Sequence, residues 1–147
     1  MRLKEQRLWD RLRNNISPKA VNLQRIENMV GAGFPDVVAI SDGVVTPTEL
    51  KAIDELPKMI KTRLLGPQGL SVEQRNWHTS WAKYGGQSLI LLGIGVGSSC
   101  RHYAAVGAQA DEVNEWALID WVQHSLVEAN SGPAFWTGLT NVLGRSS

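Results

Sequence analysis

Gly33-Phe-Pro-Asp36-Val-Val-Ala-Ile40-Ser-Asp42-Gly43-Val44-Val-Thr-Pro47-Thr-Glu49-Leu-Lys51-Ala52 is the stretch that decides how this chain folds. It reads as two short strands joined at Asp42-Gly43. Asp-Gly between apolar runs marks a two-residue type I′ turn, which needs φ > 0 at both central positions. With that turn, facing residues have numbers that sum to 85: Ser41 faces Val44, Ile40 faces Val45, and Asp36 faces Glu49. Directly opposed residues have Cβ atoms roughly 4.5–5.5 Å apart, so two carboxylates would sit side by side. Lys51 lies two residues further along the same face. Pro47 cannot donate to a ladder, so a bulge or an edge position is expected there; a bulge would move the Asp36–Glu49 pairing by one residue. The unbroken run Val37-Val-Ala-Ile40 predicts a strand buried on both faces.

Opposed like charges destabilise a sheet unless something offsets them. A hard divalent cation does so, since Mg²⁺ is held by one or two carboxylates together with waters and phosphates. A lysine beside such a pair can orient water or stabilise developing negative charge. The pattern therefore points to metal-assisted phosphodiester hydrolysis. The residues also admit a plainer reading, with Asp36 capping a turn and Glu49 and Lys51 on the solvent face of an edge strand.

At 147 residues the chain is expected to form one domain, residues 1–147, long enough for a single core. Apolar residues make up 43% and charged residues 20%, which suits a globular chain rather than a disordered one. Cys100 is the single cysteine, so no internal disulfide is possible and a reducing cytoplasm fits. The N-terminus is charged from the start, so no secretory leader is expected, and no apolar run reaches the ~18 residues of a membrane span. The net charge of +1 is uninformative, but its distribution is not. Arg2, Lys4, Arg7, Arg11, Arg13, Lys19 and Arg25 crowd the first 25 residues, and five acids lie in residues 111–147. A basic end can meet phosphates, which dominate nucleic-acid affinity, or simply solvate a helix face.

Working outward, Leu8, Leu12 and Ile16 recur at helical spacing with Trp9 beside them, predicting a helix over residues 2–16 that carries Glu5 and Asp10. Ser17-Pro18 suits a helix start, whereas residues 21–26 partly alternate as a strand does. Residues 53–71 read as an irregular segment carrying Lys58, Lys61 and Arg63, either a nucleic-acid-facing loop or an ordinary connection. Ser71 as N-cap and Gln74 three residues on form a capping box opening a helix to about Tyr84, with Gly85 following. Trp77, Trp81 and Tyr84 share a face assigned to the core. Arg75 is a candidate phosphate contact, and His78 reads as a satisfied helix histidine rather than a catalytic base. Residues 87–94 form a strand; the glycines at 93, 95 and 97 match neither the dinucleotide nor the P-loop spacing. Arg101–Val106 is expected as an edge strand and 111–129 as a final helix whose Trp116 and Trp121 cannot share one seam. One of them would cover the sheet and the other meet a partner subunit. Phe135-Trp136 would dock on the body or on a second copy, and Arg145–Ser147 would fray.

Pro35-Asp36 followed by Glu49-Leu50-Lys51 resembles the signature of the PD-(D/E)XK nuclease superfamily. The gap of 13 between the acids is similar to that of its Holliday-junction resolvases. The wider pattern is Arg25-Ile26-Glu27-Asn28, Gly-Phe-Pro-Asp, Glu-Leu-Lys, then Gln74 and Trp77 on a helix, then Gly85-Gly86 and an apolar strand. It is similar to small phage and bacterial nucleases of the VRR-NUC and resolvase-like type. The resemblance covers residues 1–107 and leaves 108–147 as a C-terminal addition. It implies an α/β, restriction-endonuclease-like core in the order α-β-β-β-α-β with a mixed central sheet, here with an added edge strand and C-terminal helix. It favours a strand at residues 21–28.

The resemblance implies a Mg²⁺-dependent endodeoxyribonuclease, with Mn²⁺ as a substitute. Asp36, Glu49 and the Leu50 carbonyl would hold the metal, and Lys51 would assist the attacking water. Glu5 and Gln74 would support them. Glu5 matches the third acid that resolvases carry on their first helix, since 36 − 5 = 31, with Asp10 and Glu27 as the other candidates. Gln74 otherwise does no more than cap its helix. Arg7, Arg25, Lys58, Lys61, Arg63 and Arg75 would contact DNA, branched in the resolvase case. The resemblance further implies a homodimer in a bacterial or phage-infected cytoplasm. The alternatives are a nicking or flap-type nuclease and a non-catalytic DNA-binding protein on the same fold.

Overall fold

The computed structural model describes residues 3–26, 31–95, 97–130 and 132–144; Glu27 and Arg145–Ser147 lie outside them. Its elements are α1 (Leu3–Asn15), β1 (Asn22–Arg25), β2 (Val37–Ser41), β3 (Val44–Ile53), α2 (Val72–Lys83), β4 (Leu89–Ile94), β5 (Arg101–Val106), α3 (Leu118–His124) and α4 (Gly132–Leu143). The strands form one sheet in the order β1-β2-β3-β4-β5. All neighbours are antiparallel except β3 and β4. A parallel pair needs a long crossover, which the loop after β3 and α2 provide.

The β2–β3 register follows from its turn. Asp42 and Gly43 both have positive φ, 51° and 78°, as a type I′ turn requires. The pairs run Ser41–Val44, Ile40–Val45, Ala39–Thr46, Val38–Pro47 and Val37–Thr48 without interruption. The bulge expected at Pro47 is absent from this ladder. Counting from the turn, Val38–Pro47 is a non-hydrogen-bonded pair, so the proline nitrogen faces the β4 side. There β4 pairs with β3 only from Thr48 onward, and no ladder bond is lost.

Two apolar clusters sandwich the sheet. One joins Leu8, Trp9 and Leu12 of α1 to Phe135, Trp136 and Leu139 of α4 over Val37, Ala39, Leu50, Leu89 and Leu91. The other sets Leu64, Leu65, Leu70, Trp116 and Trp121 against Ile90, Leu92, Ile94 and Tyr103. β4 alternates between the two clusters and is the strand buried throughout. β2 is not: Ile40 and Val45, which face each other, each remain 44% exposed.

The C-terminal third departs from the sequence expectation. Residues 111–129 are not one helix. Short 3-10 turns at Gly107–Gln109 and Val113–Glu115 precede α3. Ala117 is extended and caps α3, its N–H donating to Asp120 Oδ2 at 3.0 Å. The Asn114 amide instead clamps Leu70 by two bonds, 2.7 and 2.9 Å, and the Trp116 carbonyl accepts from Leu64 N–H at 3.0 Å. Trp116 and Trp121 are both buried, packed edge to face, so neither is left for a partner. Phe135 and Trp136 belong to a helix, α4, that docks on the body of this chain.

The aromatic face of α2 is also reversed. Trp81 and Tyr84 are 37% and 84% exposed, and the residue α2 buries is His78. The tryptophans pack on each other, 4.9 Å between centroids, and Phe34 packs edge-on against Trp77. Among the described residues no helix is long and apolar enough to cross a membrane.

Candidate active site

One pocket gathers Glu5 from α1, Asp36 just before β2, and Glu49, Leu50 and Lys51 from β3. Gly66, Pro67, Gly69, Leu70 and Ser71 of the crossover loop and Gln74 of α2 complete its lining. The uninterrupted register, carried one pair past Val37–Thr48, sets Asp36 opposite Glu49. Asp36 is anchored at both ends. Its carbonyl accepts from Ile26 N–H at 2.7 Å, and its Oδ2 accepts from Leu50 N–H at 2.9 Å. Leu50 is the next residue of β3 to turn its backbone toward β2, which does not extend that far. Its carbonyl therefore lies along the same open edge as the Asp36 carboxylate. Gly33 lets this segment pass α2: its φ is +86°, and a Cβ there would lie 2.3 Å from the Glu73 carbonyl oxygen.

The acids are unusually placed. Glu49 is 1% exposed. Burial pushes its carboxyl above the ordinary range. Burial likewise raises Asp36, to about 8, helped by the neighbouring Glu49; the Leu50 N–H and Lys51 oppose this. With Asp36 raised to about 8, the metal-free pair retains a proton at neutral pH. Lys51, 9% exposed, donates to the Gly69 carbonyl at 3.3 Å. That carbonyl belongs to the segment braced by Asn114, so the loop fixes where the ammonium sits.

Gln74 makes contacts on two sides. Its backbone and side chain complete the capping box with Ser71, and its Nε2 donates to Glu49 Oε2 at 3.3 Å. Glu5 lines the pocket, and its charge helps to raise Glu49. Asp10 instead accepts from Gln6 and pairs with Arg13. Of the cations, Arg7, Lys58 and Lys61 are exposed, and Arg25 and Arg75 are partly buried. Arg63 pairs with both oxygens of Glu115 at 3.1 Å and is not in the pocket lining.

A divalent cation fits these residues. Glu49 Oε1 is buried without a hydrogen-bond partner, and the facing carboxylates are hard oxygen donors. Among the described residues no three His, Cys, Asp or Glu side chains cluster tightly enough to hold an ion alone, so a backbone carbonyl and water would complete the donors.

His78, read from sequence as an ordinary helix histidine, lies directly behind Glu49. It is fully buried, with Nε2 3.8 Å from Glu49 Oε1 and Nδ1 2.8 Å from Ser88 Oγ. Burial lowers it to about 4, so the ring is neutral. Its four-residue spacing from Gln74 was the available signal, since i and i+4 share a helix face. Asn114 left no such signal.

A mixed sheet with helices on both faces, and acids where β2 begins and on β3, has the restriction-endonuclease-like fold. The chain is similar in structure to Hjc of Archaeoglobus fulgidus, a Holliday junction resolvase from an archaeal hyperthermophile. The TM-score is 0.54 and the identity 15%, covering 92% of this chain and 97% of that one. A likeness at this identity establishes the shared fold. No family model and no curated protein sequence matches the chain.

Proposed function

We propose that this protein is a divalent-metal-dependent DNA endonuclease of the PD-(D/E)XK superfamily that acts on branched DNA as a junction resolvase does. One observation carries the reading: Asp36 and Glu49 face each other, with Glu49 buried and its Oε1 unpaired, in a pocket shared with Lys51. The fold shared with a resolvase supports the choice of substrate. Asp36, Glu49 and the Leu50 carbonyl would hold Mg²⁺ or Mn²⁺. Bound there, the ion would neutralise the acids and supply Lewis-acid chemistry at a phosphate.

The protein's own groups do the rest. Lys51 holds a positive charge inside the pocket, where it stabilises negative charge developing on a phosphate under attack and orients the attacking water. Gln74 orients Glu49. Glu5 adds a third acid to the pocket. Arg7, Arg25, Lys58, Lys61, Arg63 and Arg75 would engage the DNA backbone, which rewards positive charge irrespective of sequence. Symmetric cutting of a junction needs two active sites, so a homodimer belongs to the proposal. The setting proposed is the cytoplasm of a bacterium or a phage-infected host.

The test is cleavage with Mg²⁺ of a four-way junction, a flap, single-stranded DNA and linear duplex, with Glu49→Ala alongside. Junction-selective cutting lost in the variant is expected. Cutting without junction preference would leave a nicking or flap-type nuclease. Metal-independent binding with no cutting would leave a DNA-binding protein on a nuclease fold.

A further inference from the structure

Gln74 and His78 stand one turn apart on α2, and each turns a side-chain nitrogen toward a different oxygen of Glu49. Gln74 Nε2 reaches Oε2 at 3.3 Å, and His78 Nε2 faces Oε1 at 3.8 Å. The second distance is too long for a hydrogen bond. Yet Glu49 Oε1 and His78 Nε2 are both buried and both without a partner. Buried polar atoms are seldom left so, and a small rotation of the carboxylate would pair them.

The tautomer is set by what the other ring nitrogen meets. His78 Nδ1 lies 2.8 Å from the hydroxyl of Ser88, itself 1% exposed. On a neutral ring, a hydroxyl donating to Nδ1 leaves the ring proton on Nε2, pointing at the acid. Gly107 makes room for this contact. Its N–H donates to the Ser88 carbonyl at 2.8 Å. A Cβ at 107 would fall 1.8 Å from Ser88 Oγ and 2.9 Å from His78 Nδ1. Two separate segments, at Ser88 and Gly107, thus close on one imidazole nitrogen.

We propose that His78, held as the Nε2–H tautomer by Ser88, is a positioning residue that orients the Glu49 carboxylate for the metal. Gln74 and His78 then form a two-donor clamp, one donor per oxygen, on a single rigid helix. The inference rests on reading Asp36 and Glu49 as the metal-binding pair. Carboxylate ligands are characteristically held by such outer hydrogen bonds.

The test uses the full chain and two readouts other than cleavage. Long-range ¹H–¹⁵N NMR of the His78 ring at pH 7.5 is expected to show the neutral Nε2–H tautomer, with the Nε2 resonance moving on addition of Mg²⁺. Ser88→Ala should lose that tautomer preference. In calorimetric titration with Mn²⁺, His78→Phe, which fills the space without a donor, should weaken binding by ~10-fold, whereas His78→Gln, which offers an amide donor near Nε2, should stay within about threefold of wild type. An Nδ1–H ring in the wild type, or His78→Phe binding Mn²⁺ as wild type does, overturns the proposal. If Glu49→Gln abolishes binding while His78→Phe leaves it intact, the metal site stands and only the clamp falls. If the wild type binds no Mn²⁺, both fall. Should His78→Phe not fold, the wild-type tautomer decides.

Discussion

His78 and His102 are both buried, on opposite faces of the sheet, and burial lowers each to about 4. Their surroundings differ. His102 accepts from Arg11 Nε–H at 3.0 Å and packs against Phe135 and Trp136. His78 has a serine on one side and a buried carboxylate on the other. A lowered pKa therefore does not separate a structural histidine from a functional one; the neighbouring group does. The comparison extends to the two faces. Each buries an apolar cluster and leaves a histidine nitrogen unpaired, but His102 lies beside Arg11, whereas His78 lies beside the unpaired Oε1 of Glu49. Unpaired polar groups cost stability, and active sites are where such cost persists.

The largest effect should come from removing an acid. Glu49→Gln is expected to cut cleavage on the order of 10³-fold, comparable to losing a transition-state contact. The same change should raise the melting temperature of the metal-free protein, because an amide carries no charge for burial to penalise. A lower melting temperature would mean that the acid supports the fold, and the contrast between the faces would be broken. On the other face, Phe135→Ala should cost about 3–5 kcal/mol in denaturant unfolding. Calorimetry on the folded variant should find Mn²⁺ affinity unchanged. A parallel loss of affinity would show that the faces are coupled.

The pH dependence of stability with EDTA present sharpens the same contrast. Asp36 keeps its proton to about 8 when folded, against 3.8 unfolded, so its contribution falls as pH rises between these values. Glu49 acts in the same direction. The two histidines act oppositely, from about 4 up to 6.5, because the unfolded chain protonates them first. The opposing slopes overlap below pH 6.5, and only the acids act above it. Metal-free stability should thus fall by about 2 kcal/mol between pH 6.5 and 8, and Mg²⁺ should remove the fall. Stability that rises over this window would contradict the assignment. The smallest effect should be Arg63→Ala: its exposed pair with Glu115 is worth ~0.2–1 kcal/mol, and its loss should be detectable only at low salt. A larger weakening of DNA binding than of stability would place Arg63 at the nucleic acid.

Legibility followed the range of the interactions. Asp42-Gly43 carried the register of β2 and β3, and with it the facing of Asp36 and Glu49, because a two-residue turn leaves one pairing that keeps both strands in line. Ser71 and Gln74 announced the start of α2 because a capping box is complete within four residues. The C-terminal third was illegible for the converse reason. Residues 111–129 have a helical acid-first pattern, but Asn114 and Trp116 spend their hydrogen bonds on Leu70 and Leu64, some fifty residues away. Trp77, Trp81 and Tyr84 share a helix face, yet periodicity reveals that a face exists and not what lies against it.

Local rules therefore determined the hairpin, the helix cap and the acid–acid–lysine set, since each depends on neighbours along the chain. Only the tertiary structure decided that Gln74 reaches Glu49, that Asn114 braces the rim holding Lys51, and that His78 stands behind the acid. Those contacts join segments separated by 25, 44 and 29 residues. Their partners are chosen by how the helices pack on the sheet, which no local pattern encodes.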